Sequence, residues 1–166
     1  MGVPRAASPS HTVVTAGAAE THPQTARALL QAPPPPQATG CLARWIVEAI
    51  RITNKYRAEV GAKPLTCHVK AQQVATKHSR NMCATGQLTH DGFSTRCSQI
   101  PFQMRCGENV AYNYDRTSTA PQTTLTQWRN SAGHYRNMVN PAYTKVGVGN
   151  VRCTSDGKVM WTQIFG

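Results

Sequence analysis

Apolar side chains recur every three or four residues directly after residue 40, and this spacing predicts an amphipathic helix from Cys41 to Val60. Gly61 ends the pattern, as glycine commonly does after the last turn of a helix. Basic residues fill many of the positions between the apolar ones, so the helix should have one buried face and one solvated face. The apolar positions are Trp45, Ala49, Ile52, Tyr56 and Val60.

The same spacing returns after Pro64 and predicts a second helix, with Thr66 as its N-cap and Gly86 at its end. Because His78 lies on the apolar stripe of this helix, we interpret it as a histidine at the edge of the core and leave it out of the candidate site. His68, near the helix start, is predicted to lie at the surface. The stripe comprises Cys67, Ala71, Val74, His78 and Met82.

The pattern is irregular over residues 87–106, where we expect a loop held by cysteines, and becomes regular again beyond it. Asp156-Gly157 between two apolar runs is typical of a hairpin turn. We interpret Gly147 and Gly149 as glycines that allow close packing within a strand. The predicted elements are a strand at Asn109–Tyr114, a helix at Thr123–Asn130, a helical turn at Gly133–Val139, and strands at Tyr143–Arg152 and Lys158–Phe165.

This order of elements predicts an α+β fold in which helices flank a small, mostly antiparallel sheet. Residues 1–40 differ from the rest, because they hold seven of the eleven prolines and no cysteine or aromatic residue. We therefore expect a disordered tail over residues 1–40, followed by one folded domain over residues 41–166. No apolar run is long enough to span a membrane, and we expect any signal peptide to lie outside this chain or to have been removed.

Six cysteines are scattered through residues 41–166, and none of them forms a C-x-x-C pair. Three disulfides in an oxidising compartment are the favoured interpretation, and six buried thiols in a cytosolic protein are the alternative. The sequence does not choose among the pairings, although Cys97 with Cys106 is the most plausible local pair. The six are Cys41, Cys67, Cys83, Cys97, Cys106 and Cys153.

The chain carries a formal net charge of +11, which favours acidic partners such as polyanionic glycans or anionic lipid headgroups. The basic residues are dispersed, and no aromatic and basic motif for base stacking is present, so we expect no nucleic-acid partner. A solvated basic surface that adheres to cell walls or membranes is the simpler interpretation.

Three short polar frames carry the candidate chemistry: Leu88-Thr89-His90, Gly107-Glu108-Asn109 and Gly133-His134-Tyr135. Imidazole and carboxylate groups both bind divalent cations and transfer protons near neutral pH. Their spacing alone leaves two interpretations open, namely one shared site or three unrelated polar residues.

These frames, together with Trp128 and the final Trp161–Phe165 run, resemble the CAP superfamily of cysteine-rich secretory proteins, antigen five and group-one pathogenesis-related proteins. The segment 128–137 and the run Val146-Gly147-Val148-Gly149 are similar to the compact extracellular domains of this superfamily that are common in bacteria. The resemblance implies an α-β-α sandwich and a secreted, extracellular protein.

The resemblance also implies that His90, Glu108 and His134 fill three places of a tetrad of two histidines and two acids. The fourth place, three residues after Trp128, is Ser131 in this chain. With one carboxylate missing, we do not expect a two-carboxylate acid–base mechanism. His90, Glu108 and His134 could hold a zinc ion or another divalent cation, with a water in the fourth place that Ser131 would hydrogen-bond, although no cofactor is required.

The leading hypothesis is a secreted, non-enzymatic protein that binds a lipid or sterol-like ligand, an acidic glycan or a host protein at a host–microbe boundary. Sterol binding is disfavoured because only residues 129–133 separate Trp128 from His134, too few for the aromatic loop of sterol-binding members. The second hypothesis is a zinc-dependent hydrolase or protease that uses His90, Glu108 and His134. No serine or cysteine lies in a nucleophile frame.

Overall fold

The computed structural model describes residues 41–102 and 105–166, and the predicted tail over residues 1–40 lies outside the described residues. In these two ranges, no helix is both long enough and apolar enough to cross a membrane. The elements in chain order are α1 (Arg44–Glu59), β1 (Thr66–Cys67), α2 (Val69–Thr85), α3 (Phe93–Ser98), β2 (Gly107–Asn113), α4 (Ala120–Arg129), α5 (Ala132–Val139), β3 (Lys145–Arg152) and β4 (Val159–Phe165).

The strands form one sheet in the order β1-β3-β4-β2. The two-residue strand β1 runs parallel to β3, whereas β3–β4 and β4–β2 are antiparallel. The predicted hairpin is therefore present, and the predicted α+β fold with a mostly antiparallel sheet is confirmed. Strand β2 lies at one edge of the sheet. Its unpaired edge therefore faces the side chains of neighbouring helices, which include part of the candidate site.

Helices cover both faces of the sheet. On one face, α1, α4 and α5 pack against the sheet through a large apolar cluster that includes Ile52, Leu125, Trp128 and Trp161. On the other face, α2 packs through small side chains, with Ala71, Val74 and Ala75 against Ile164 of β4. This three-layer arrangement is the sandwich that the resemblance implies, and it places the sheet edge at β2 between the two helical layers.

Two glycines of β3 let α2 approach the sheet closely. A Cβ atom at Gly147 would overlap the backbone of Ala71 and Gln72, and one at Gly149 would overlap the backbone of Thr76 and Ala75. Only a residue without a side chain leaves room for helix backbone at this distance. The interpretation of these glycines as packing positions is therefore confirmed.

The start of the second helix differs from the prediction. Thr66 is not an N-cap, because Thr66 and Cys67 pair with Lys145 and Val146 of β3 and thereby extend the sheet. His68 is the N-cap instead, and its Nδ1 accepts a hydrogen bond of 3.2 Å from the backbone N–H of Ala71. A long-range strand pairing thus overrides the local capping preference of threonine.

The segment predicted as a loop over residues 87–106 contains a further short helix, α3. Its six residues are too few to show a helical period in the sequence. It begins after Gly92, whose φ of 74° lies in the left-handed region that glycine favours. This helix was missed, and it carries Arg96, which proves central to the candidate site.

Three disulfides join Cys41 to Cys67, Cys83 to Cys153 and Cys97 to Cys106. The interpretation of six cysteines as three bridges is confirmed, and so is the predicted local pair. The pair Cys97–Cys106 links the end of α3 to the residue before β2. It therefore holds Arg96 and Glu108 on two covalently connected elements.

Arg57 is a fully buried cation at the end of α1. Its guanidinium donates hydrogen bonds of 2.7 to 2.9 Å to four backbone carbonyl oxygens, those of Lys63, Met138, Asn140 and Tyr143. Burial lowers the pKa of Arg57. The side chain thereby ties α1 to the end of α5 and to the loop that follows it.

Candidate functional site

The four residues predicted for the site lie at the β2 edge of the sheet. His90 follows α2, Glu108 is the second residue of β2, Ser131 is the N-cap residue of α5 and His134 lies in its first turn. His90 and Glu108 are in contact, with 2.9 Å between the imidazole Nδ1 and the carboxylate Oε1. The His90 side chain is half exposed, whereas that of Glu108 is almost fully buried.

Arg96 holds the Glu108 carboxylate through two hydrogen bonds. Its Nε donates to Oε2 at 2.7 Å, and its Nη2 donates to Oε1 at 2.7 Å. The same guanidinium also donates to the backbone carbonyl oxygens of Asp91 and His90. Two parallel bonds between a guanidinium and a carboxylate are the strong, geometrically specific form of the ion pair. Glu108 is therefore a neutralised, fixed anion.

The sequence did not point to Arg96, because this residue lies in residues 87–106, where apolar side chains do not recur at regular intervals. A signal was nevertheless present: a buried glutamate requires a cation, and the only arginines or lysines between His90 and Glu108 are Arg96 and Arg105. The resemblance directed attention to histidines and acids, and neither the frames nor the hydropathy pattern pointed to a basic partner.

The observed arrangement does not fit a zinc ion bound by Glu108. Both carboxylate oxygens already accept hydrogen bonds from Arg96, and a dication beside a guanidinium would be repelled. Among residues 41–102 and 105–166, no three His, Cys, Asp or Glu side chains are grouped as a metal site requires. The zinc site at His90, Glu108 and His134 stays a prediction, and it would require Arg96 to leave Glu108.

His134 and Ser131 lie beside the indole of Trp128. The ring centroids of His134 and Trp128 are 6.4 Å apart. Within the described part of the chain, the Ser131 hydroxyl makes no capping hydrogen bond to α5, although serine at this position usually does. The Ser131 hydroxyl is thus free to bond a ligand.

Side chains from the helices saturate the outer edge of β2. The carbonyl oxygens of Glu108, Val110 and Tyr112 accept hydrogen bonds of 3.1, 3.1 and 3.4 Å from the side chains of Asn137, Trp128 and Gln127. An unpaired strand edge invites pairing with another chain, and these donors remove its acceptors. The edge is therefore suited to presenting side chains to a ligand rather than to adding a strand.

A groove of about 520 Å³ runs along this edge, and we call it the tyrosine groove. Three of its residues are apolar side chains left exposed at the surface: Leu88, Tyr112 and Tyr114 have 43%, 41% and 60% of their surface accessible. The two tyrosine rings pack edge to face, with 6.2 Å between their centroids. The groove is lined by Leu88, Val110, Tyr112, Tyr114, Ser131 and His134.

Two histidines near the site have a lowered pKa, which favours their neutral form. Burial lowers the pKa of His134, and the neighbouring charge of His90 lowers it further. Burial also lowers the pKa of His78, although its hydrogen bond to the carbonyl oxygen of Thr89 opposes this shift. The distance from His78 Nε2 to that oxygen is 2.9 Å, so His78 is a satisfied histidine at the core edge.

These shifts predict that the domain loses stability in mild acid. A histidine whose pKa is depressed in the folded state binds its proton more readily when unfolded, so its contribution is complete above an unfolded pKa of about 6.5. This contribution to stability is lost progressively as the pH falls from the unfolded pKa to the lower pKa of the folded state. Urea unfolding at several pH values between neutral and mildly acidic would measure the slope of the free energy of unfolding against pH.

The variant His78→Gln is the control for this slope. Glutamine keeps a hydrogen bond donor for the Thr89 carbonyl oxygen and does not titrate. We expect the variant to show a shallower loss of stability than the wild type over the same pH range. An identical slope for the two proteins would contradict the assignment of His78 as a neutral, buried group.

Comparison with protein-family models and with known sequences identifies the family of this chain. The model of CAP, the cysteine-rich secretory protein family, matches residues 50–165. The uncharacterised protein YkwD of Bacillus subtilis (strain 168) is 28% identical over 123 residues, which cover 71% of this chain and 45% of that protein. The chain thus spans less than half the length of this relative.

Solved structures agree with the same fold. An extracellular protein of Bacillus anthracis str. Ames that contains an SCP domain is 27% identical, with a TM-score of 0.59 over 72% of this chain and 39% of that chain. An outer surface protein of Borrelia burgdorferi has a TM-score of 0.64 at 18% identity, over 74% of this chain and 91% of that chain. At that identity, the second likeness indicates a shared fold alone.

Proposed function

The chain belongs to the CAP family of cysteine-rich secretory proteins, and from this premise we propose that it is an extracellular, non-catalytic domain that binds a sugar residue in the tyrosine groove. The observation that carries the proposal is the pair of exposed rings, Tyr112 and Tyr114, in the same groove as Ser131 and His134. Three disulfides and an extracellular relative support the location outside the cell.

The shape and surface of the groove suit a sugar ring. Its volume of about 520 Å³ lies within the range of small-ligand sites. A sugar has one or two apolar C–H faces that stack on an aromatic ring, and tyrosine offers such a ring with a polar end. The ring of Tyr112 is held on one side by Lys158, whose Nζ lies 5.1 Å from the ring centroid.

Polar groups at the other end of the groove supply orientation. The Ser131 hydroxyl can donate one hydrogen bond and accept others, and a neutral His134 offers one donor and one acceptor nitrogen. Such mixed donors and acceptors complement the hydroxyl groups of a sugar. A charged histidine would lose its acceptor, so binding should weaken as the pH falls through the titration of His134.

The proposal contains no reaction step. Both oxygens of the buried Glu108 carboxylate accept hydrogen bonds from Arg96, so neither is placed to take a proton from a ligand. No observation on the described residues supports the zinc-dependent hydrolase, since no three His, Cys, Asp or Glu side chains among them are grouped closely enough to hold a metal ion. Arg96 and His90 instead hold the Glu108 carboxylate by hydrogen bonds, and none of these three residues lines the tyrosine groove.

Replacing Tyr112 with alanine is expected to lower the affinity for the sugar about tenfold, because a stacked ring contributes about 1.4 kcal/mol. The conservative variant Tyr112→Phe should bind within about twofold of the wild type, because the ring remains. The measurement is a titration of the oxidised chain with chitotetraose, cellotetraose and maltotetraose, followed by nitrogen-15 NMR and calorimetry.

Other ligand classes are outcomes of the same titration. Binding of a fatty acid or a sterol, with no response to any tetrasaccharide, would replace the sugar with a hydrophobic ligand. If Tyr112→Ala and the wild type bind the same tetrasaccharide with equal affinity, the sugar does not stack on Tyr112 in the tyrosine groove.

A further inference from the structure

A second groove, of about 580 Å³, lies between α2 and α3, and we call it the basic groove. It is lined by the basic side chains of Lys77, Arg80 and Arg96 and by the apolar side chains of Val74 and Ala84. Asn81 and Gln99 add amide groups to the lining. The predicted site and the proposed function use none of these residues except Arg96.

The positive charge at this groove is not balanced locally. Helix α2 has 17 residues, among them Lys70, Lys77 and Arg80, and none is acidic. From residue 60 to residue 106, the only acidic residue is Asp91. Because Arg96 is already paired with Glu108, the net charge at the groove comes from Lys77 and Arg80. Both are exposed and lie three positions apart, so their side chains project from neighbouring points of the helix.

The basic and the apolar side chains that line the groove together indicate the class of ligand. The flexible ammonium of Lys77 and the planar guanidinium of Arg80 lie side by side and together match a doubly charged anion. Arginine and lysine are the usual partners of phosphate. Val74 and Ala84 offer an apolar surface that an inorganic ion would leave uncovered. The volume is that of a small-ligand site, which is larger than a bare phosphate requires.

We propose that the basic groove binds a phosphate ester carried on a short apolar stem, with the phosphate on Lys77 and Arg80 and the stem on Val74 and Ala84. The source of such a group is a lipid headgroup region or a soluble phosphorylated metabolite, and both present the same chemistry. The proposal does not rest on sugar binding, because the tyrosine groove and the basic groove share no lining residue.

The test is a nitrogen-15 NMR titration of the oxidised chain with dihexanoyl phosphatidic acid as a monomer in solution. We expect saturable shifts of the amides of residues 74–84 and 96–99, and weaker binding as salt is raised to about 0.5 M. Dihexanoyl phosphatidylcholine, which has the same stem and no net charge, should produce no saturable shifts. Vesicles that contain long-chain phosphatidic acid, assayed by flotation, distinguish a membrane source from a soluble one.

The double variant K77E/R80E should lower the affinity for dihexanoyl phosphatidic acid at least about tenfold, because it replaces attraction with repulsion at close range. The double variant K55E/K63E is the matched control, since it changes the net charge equally at exposed lysines outside the groove. We expect its affinity to stay within about twofold of the wild type, as distant exposed charges are screened.

Three results would overturn the proposal. Equal losses in the two double variants would mean that the ligand responds only to net charge. If inorganic phosphate binds as tightly as dihexanoyl phosphatidic acid, the apolar stem does not contribute to the affinity. Shifts confined to residues outside 74–84 and 96–99 would place the ligand elsewhere.

Discussion

Replacing Arg96 with alanine is expected to destabilise the domain by about 3–5 kcal/mol, because the change leaves a buried carboxylate without its cation. The side chain of Glu108 is only 1% exposed, and both of its oxygens depend on Arg96. His90 is half exposed and reaches only one of these oxygens. Urea unfolding at neutral pH, with the disulfides intact, measures the loss.

Two further variants separate the buried charge from other effects. Arg51→Ala removes the same type of ion pair at the surface, since Arg51 also binds both oxygens of a glutamate, Glu48, with both side chains solvent-accessible. We expect that change to cost much less than Arg96→Ala, because an ion pair in contact with solvent contributes little to stability. The double variant Arg96→Ala/Glu108→Gln should be more stable than Arg96→Ala, because a neutral amide is easier to bury. Equal losses for Arg96→Ala and Arg51→Ala would contradict the account.

Replacing Arg57 with alanine is expected to cost about 3–5 kcal/mol, because it opens a cavity and removes the donors of buried carbonyl oxygens. The guanidinium bonds four carbonyls that belong to two separate segments, at Lys63 and at residues 138–143. The second segment holds the end of α5, so ligand affinity at His134 should fall in this variant. Thermal and urea unfolding measure the stability.

The variant Arg57→Lys tests whether geometry or charge matters at this position. An ammonium group has three donors on a flexible stem and cannot reproduce the planar fork of the guanidinium, so an intermediate loss is expected. Lys55→Ala, on the exposed face of the same helix, should change stability by less than about 0.5 kcal/mol. A loss in Arg57→Ala as small as that in Lys55→Ala would show that the buried network is dispensable.

The fold could be predicted where the pattern is long and local. Both long helices, α1 and α2, showed their period over four or more turns, and the hairpin of β3 and β4 had its Asp156-Gly157 signal. The glycines of β3 indicated close packing because a strand interior rarely tolerates two of them. These features depend on nearby residues, which the sequence displays directly.

The rest depended on contacts between distant residues. Thr66 became a strand residue because its partner, Lys145, lies 79 positions away. Helix α3 was too short to predict, and Arg96 was therefore not connected with Glu108. The tyrosine groove was missed for a similar reason: Tyr112 and Tyr114 lie in the predicted strand Asn109–Tyr114, but their neighbours Ser131 and His134 come from a distant helix.

The position of Arg96 also bears on how the site should be interpreted. The resemblance implied that His90, Glu108 and His134 could hold a metal ion, with Ser131 in the place of a second acid. The structure adds a guanidinium to the carboxylate and leaves Ser131 and His134 facing an aromatic groove. The candidate chemistry thereby shifts from holding an ion to binding a polar ligand with an apolar face.

The most direct test of the account is X-ray diffraction, at the zinc absorption edge, from crystals of the oxidised chain grown with zinc and with the tetrasaccharide that binds. We expect a sugar ring stacked on Tyr112, with hydroxyl groups bonded to Ser131 and His134. We also expect Arg96 to hold both oxygens of Glu108 as before. An anomalous peak bonded to His90, Glu108 and His134, with Arg96 displaced and the tyrosine groove empty, would contradict sugar binding at this groove.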